Sequence, residues 1–155
     1  MKIRRKISKI YARYQPKSDY LKYWKVVKQW AKVKYDIGTA DIEMMLFLYS
    51  EGLFTQKEFE DFNEIMSWDK NRFHNLLKDK LIVVWRKRKG RESTLYELGF
   101  TGKRICASIY KKLNMEETVS EDRRLNPIFN VNANYSQKVY RKIIKKMNQE
   151  IKKKL

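Results

Sequence analysis

Apolar positions recur with a helical period over most of the chain, and one β-like run near the middle interrupts that period. Pro16 and Ser18-Asp19 offer a break and a cap. Beyond them Tyr20, Tyr23, Trp24, Val27, Trp30 and Ala31 share a helical face, with Lys22, Lys25, Lys28 and Lys32 interleaved. Gly38 is the expected stop. Thr39 or Asp41 caps a second helix over Ile42–Tyr49, which is apolar nearly all round and therefore central, and Gly52 suits its C-terminal end. Thr55 with Glu58 fits a capping box, opening a short helix that turns Phe59, Phe62, Ile65 and Met66 inward. Ser67 opens another, Trp68 to Lys80, burying Phe73, Leu76, Leu77 and Trp68. Asp69, Lys70, Arg72, His74, Asn75 and Lys78 are left for its outer faces.

The period then changes. Leu81-Ile82-Val83-Val84-Trp85 is a β-branched strand signal and Ser93–Leu98 a second. Between them Arg86-Lys87-Arg88-Lys89-Gly90-Arg91 predicts a hairpin tip with Gly90 at positive φ. Two strands alone are marginally stable, so the hairpin has to lean on the helices. Thr101 or Gly102 starts the next helix, with Ile105, Ile109 and Leu113 four apart. Residues 114–134 are expected to be irregular. Tyr135–Leu155 predicts a basic helix with Val139, Ile143, Met147 and Ile151 on one stripe. The organisation expected is a basic arm at 1–18, a domain with its leading helix at 19–113, an irregular connection at 114–134 and a C-terminal helix at 135–155. The fold class is mainly α with a small β-hairpin, an α+β arrangement.

Composition narrows the function. The 155 residues carry 36 Lys and Arg against 18 Asp and Glu, a net charge of +18, yet 43% are hydrophobic and 14% aromatic. That is too apolar for a disordered basic tail. No run approaches the roughly 18 uncharged apolar residues of a membrane span, and the basic start MKIRRKISKI leads into no apolar signal segment. One cysteine, Cys106, makes a reducing compartment the default. The charge is clustered. Residues 1–35 hold 12 basic and 1 acidic side chain, 83–113 hold 9 and 2, and 135–155 hold 8 and 1, around a mildly acidic middle. Clustering of this kind points to a polyanionic partner rather than to solubility alone.

Helix, short helix, short helix, hairpin with a charged tip, then helix is the layout of a winged helix-turn-helix, here over 40–113. Within it Leu76-Leu77-Lys78-Asp79-Lys80-Leu81-Ile82 is similar to the exit from the recognition helix in the MarR family of regulators. Leu95-Tyr96-Glu97-Leu98-Gly99-Phe100-Thr101-Gly102-Lys103-Arg104-Ile105 resembles that family's second wing strand and following helix. Where the family commonly has Asp-x-Arg in the wing, this tip is all basic, and Leu98-Gly99 stands for its usual Leu-Thr. The resemblance implies double-stranded DNA as partner, transcription regulation as role, and terminal helices that pair two subunits. A homodimer would then form through Tyr20, Tyr23, Trp24 and Val27 with Val139, Ile143, Met147 and Ile151, since the N-terminal aromatics need a cover.

The candidate DNA contacts are Ser67, Lys70, Asn71, Arg72, Asn75 and Lys78 on the short helix, and Arg86, Lys87, Arg88, Lys89 and Arg91 on the wing. Arg72 has the donors to bridge guanine O6 and N7, and Asn75 the donor–acceptor pair for adenine N6 and N7. An ordinary solvated face is the competing reading of that helix. No acid–base pair, nucleophile elbow or phosphate loop is found, so no enzyme activity is expected. One His and one Cys make no metal site, and no cofactor is implied. Cys106, between Ile105 and Ala107, reads as a small core residue more readily than as a redox sensor. Two other functions fit the same charge: an adaptor docking on RNA polymerase or another protein while holding nucleic acid nonspecifically, or an RNA or single-strand binder using the N-terminal aromatics. The C-terminal helix lacks the Trp and Phe of a membrane-surface helix, so no membrane partner is expected. Abundant Lys, Ile, Asn and Tyr suggest an AT-rich genome. The expected location is cytoplasmic, nucleoid-associated in a bacterium or in the host cytoplasm for a viral protein.

Overall fold

Each helical stretch of apolar spacing folds as a helix and the β-branched run as a strand. The structure, a computed structural model, describes residues 20–66, 71–130, 132 and 134–155. The basic arm at 1–18, together with Ser67, Trp68 and Lys70, lies outside them. The elements are α1 (Leu21–Tyr35), α2 (Thr39–Glu51), α3 (Gln56–Met66), α4 (Arg72–Lys78), β1 (Ile82–Arg86), β2 (Leu95–Leu98), α5 (Phe100–Leu113), a 3-10 turn (Pro127–Phe129) and α6 (Tyr135–Lys154). The architecture is mainly helical with one two-stranded antiparallel sheet.

Gly52 closes α2 as expected, at φ 79°, but other helix ends depart from glycine. α1 ends at Asp36, whose φ of 52° is left-handed, and Gly38 instead precedes α2. α4 stops because Lys80 takes φ 57°: Lys80 N–H donates to the Leu77 carbonyl at 3.1 Å and Leu81 N–H to the Leu76 carbonyl at 2.9 Å. This double bond pattern closes a helix around a left-handed residue, a position glycine occupies at less cost. The helix therefore ends at Lys78, before the expected Lys80, while its expected start at Trp68 lies outside the described residues. At α3, Thr55 Oγ1 accepts from Glu58 N–H at 3.1 Å, the first half of the expected capping box.

The hairpin does lean on the helices. β1 and β2 pair antiparallel, Ile82 opposite Leu98 and Val84 opposite Tyr96, and Phe54 in the α2–α3 corner adds a bridge to Tyr96. Both backbone bonds of that bridge are made, at 3.0 and 2.8 Å. The Tyr96 ring meets Phe73 of α4 at 5.0 Å between centroids, so bridge and rings tie sheet, corner and α4 together. Gly99 follows β2 with no room to spare. A Cβ there would lie 2.4 Å from the Lys80 carbonyl oxygen, while Gly99 N–H donates to Leu81 at 2.8 Å. Gly99→Ala is expected to destabilise the fold by about 1–3 kcal/mol through overpacking against backbone, read as a lower urea midpoint at unchanged slope.

A single core holds everything described. α2 is central as expected, with Ile42, Met44, Met45 and Leu48 buried against Ile105, Cys106 and Ile109 of α5 and the buried face of α1. Two expectations are corrected here. Ile65, expected inward, is 72% exposed, and Asn63 takes the buried position on α3. More consequentially, Tyr23 and Val27 of α1 and Met147 and Ile151 of α6 are buried within one chain, because α6 packs on α1 of the same protomer. The cover that the N-terminal aromatics require is internal, so these four side chains are not a contact for a second copy. Trp24 and Ile143 are half-buried against the same core, which leaves Tyr20 and Val139 exposed.

The segment 114–134 is irregular, as expected, but it is a packed strap. Val119 and Ile128 are buried, and Asn148 of α6 pins the strap from below. Its Oδ1 accepts from Val119 N–H at 2.8 Å and its Nδ2 donates to the Val119 carbonyl at 2.7 Å. Asn126 repeats the device locally, donating to the Ser120 carbonyl and accepting from Ile128 N–H. At the far end of α5, Lys112 is 4% exposed, with Nζ 4.1 Å from the Trp30 ring centre and 3.3 Å from Glu117. Burial pushes its pKa down, and Glu117 acts against that shift.

Cys106 is wholly buried, and desolvation pushes its thiol up to about 12. At neutral pH it therefore carries no reactive thiolate in the folded chain. A thiol reagent at pH 8 is expected to label it only once the protein is unfolded; labelling of native protein as fast as of denatured protein would show that α5 opens.

Candidate nucleic-acid interface

The cations expected to contact nucleic acid sit on two elements that Tyr96 and Phe73 hold together. On the hairpin, a two-residue turn is closed by Lys89 N–H to the Glu92 carbonyl at 3.2 Å and Glu92 N–H to the Lys89 carbonyl at 3.1 Å. Positive φ occurs only at its first residue, Gly90, at 61°, the pattern of a II′ turn whose twist matches the strands. This puts Lys87, Arg88, Lys89 and Arg91 around an exposed tip, and among the described residues none of the four is in an ion pair. Four unneutralised cations on one turn repel one another, an arrangement that an opposing anion relieves.

Arg86 is different. It is half-buried at the end of β1, with Nη1 3.5 Å from Glu92. The tip thus contains an acid after all, one that holds Arg86 inside the hairpin and leaves the other four cations outward. Arg88 is steadied at its backbone, where N–H donates to Thr94 Oγ1 at 3.1 Å. A cleft at the base of the hairpin brings Arg88, Ser93 and Thr94 next to Thr55 and Lys57 at the start of α3. Backbone N–H groups at a helix start carry partial positive charge, so this cleft adds to the tip's field rather than opposing it.

On α4, Asn71, His74, Asn75 and Lys78 are exposed while Phe73 and Leu76 anchor the helix in the core. The expected outward face is therefore outward, with one exception. Arg72 is half-buried, and its Nη1 sits 2.5 Å from Asp41 Oδ1 in the first turn of α2. The guanidinium expected to face guanine is paired with Asp41, a contact that orients α4 on α2. No pattern in the linear chain connects positions 41 and 72. A shallow cleft lined by Asp41, Arg72, Asn75, Lys78 and Asp79 runs beside this pair.

The chain matches no family model, no curated protein and no solved structure. Its chemistry has to be read from these side chains. Among the described residues no group of three or more His, Cys, Asp or Glu could hold a metal ion, and no helix is long and apolar enough to cross a membrane. Elsewhere the exposed cations of α6, Lys138, Lys142, Lys145 and Lys146, line the outer side of a helix whose other side is core. Lys22 of α1 bonds Glu150 of α6 at 3.2 Å, which joins the helix pair but withdraws one cation from any footprint.

Proposed function

We propose that the protein is a winged-helix, double-stranded DNA-binding transcription regulator. α4 faces the major groove, and the hairpin tip rests on phosphate or in the adjacent minor groove. The observation that carries this reading is the cluster of exposed, unneutralised Lys87, Arg88, Lys89 and Arg91 on a hairpin tied through Tyr96 to the helix that presents Asn71, Asn75 and Lys78. Phosphate contacts supply affinity, and an exposed short helix of about groove width supplies register. A homodimer stays part of the proposal, with its contact moved from the buried α1–α6 side chains to exposed apolar ones, Tyr20, Leu21 and Val139.

The experiment is selection of bound sites from a random duplex pool, repeated with single variants. Asn75→Ala is expected to relax preference at one base position by roughly 1–3 kcal/mol, and Lys78→Ala to weaken all sequences alike while flattening the salt slope by about 1. A pool that returns unenriched, with Asn75→Ala indistinguishable from the parent, would sink the sequence-reading role of α4.

A further inference from the structure

The wing carries an apolar feature that phosphate binding does not use. Val84 pairs with Tyr96 and Arg86 with Leu95, so β1 contains one residue, Trp85, with no partner opposite: a β-bulge. A bulge re-aims side chains next to functional sites. Here it leaves two consecutive apolar residues in solvent, Val84 at 45% and Trp85 at 53% exposure. The other described tryptophans are committed. Trp30 is buried under Lys112, and Trp24 lies half-buried with Lys28 Nζ 5.7 Å from its ring centre. Among the described residues Trp85 has neither ring nor cation on it.

We infer that Trp85 is a stacking platform for one unpaired base of the DNA bound by the wing. Charge complementarity selects the occupant. The strand leads directly into Lys87, Arg88 and Lys89, at roughly 3.3 Å per residue, so indole and tip cations span about 13 Å, close to four stacked nucleotides. A flat apolar ring beside that row of cations matches a polyanion that offers aromatic faces between its charges. Stacking on an exposed indole is tolerant of base identity. The wing therefore favours duplexes that are opened, bulged or easily unstacked at the point it touches. This extends the proposed function, since it concerns what the same surface prefers within DNA.

The test uses the full chain and two short DNA duplexes, one fully paired and one carrying a single unpaired 2-aminopurine, with affinity read by anisotropy and stacking by 2-aminopurine fluorescence. The expected result is binding on the order of 10-fold tighter to the unpaired site, with the probe quenched in the complex. Trp85→Ala should bring the two duplexes to parity and restore the probe's emission, while Trp85→Phe keeps most of both effects. Thermal melting of each variant guards against misfolding. Equal affinity of the parent for both duplexes, or a Trp85→Ala loss identical on both, overturns this inference and leaves the duplex reading standing. Binding only to the unpaired site overturns the duplex reading and leaves this one. An RNA loop that displaces the DNA overturns the assignment of the partner to DNA.

Discussion

Replacing Lys87, Arg88, Lys89 and Arg91 together by alanine is expected to weaken binding to every duplex by a similar factor and to flatten the dependence of log K on log salt by roughly 3–4. Each cation that neutralises a phosphate releases about 0.9 of a condensed counterion, so four lost contacts remove a slope of that size. The four side chains are exposed and unpaired by acids among the described residues, so their loss should move folding stability by no more than about 0.5 kcal/mol. The turn keeps Gly90 and the paired backbone bonds between Lys89 and Glu92, which do not involve side chains. Arg86 is left in place because it is held by Glu92 within the hairpin. A salt titration at several ionic strengths, on at least two unrelated duplexes, separates the outcomes. An unchanged slope would mean that the hairpin tip does not touch phosphate.

Asn148→Ala is expected to cost about 2–4 kcal/mol of folding stability, which for a chain of this size lowers the melting temperature by roughly 5–15 °C. The amide satisfies both backbone groups of Val119, a residue only 1% exposed, and water cannot replace it there without opening the strap. Truncation leaves a buried N–H and a buried carbonyl unpaired, each costing about 1–3 kcal/mol. Asn148→Asp retains the acceptor for Val119 N–H but sets a buried carboxylate oxygen against the Val119 carbonyl and Glu121 Oε1, so near neutral pH it is expected to be at least as destabilising as alanine. Thermal and urea melts with circular dichroism decide it; an alanine variant as stable as the parent would mean that the strap contributes nothing to the core.

Most element types were readable in the chain because hydrophobic period is a local signal. The centrality of α2, the inward set of α1 and the hairpin with Gly90 at its tip follow from spacing and from the conformational freedom of glycine. What was not readable depends on pairs far apart. Asp41 and Arg72 are 31 positions apart, and nothing in either neighbourhood announces the ion pair that holds the Arg72 guanidinium against α2. The Phe54–Tyr96 bridge is a single isolated pair in the four-residue corner between α2 and α3, too short to register as a strand. Trp85 looked like an ordinary strand residue, since a bulge leaves no mark in composition. Asn148, placed among lysines on a basic helix, gave no sign that it was buried.

The helices, the hairpin and the separation of charge into clusters are local, because each rests on neighbours within a few residues and on charge that cannot be hidden. What those parts face depends on the packing of distant segments. The stripe on α6 could cover a second copy or its own α1, and it is the same-chain contact, reached through the strap at 114–134, that buries Tyr23, Val27, Met147 and Ile151. An amphipathic face states that it needs a partner. Which partner it meets is set by the length and anchoring of the connection between them, and those anchors, Val119 and Ile128 held by Asn148 and Asn126, exist only once the chain has folded.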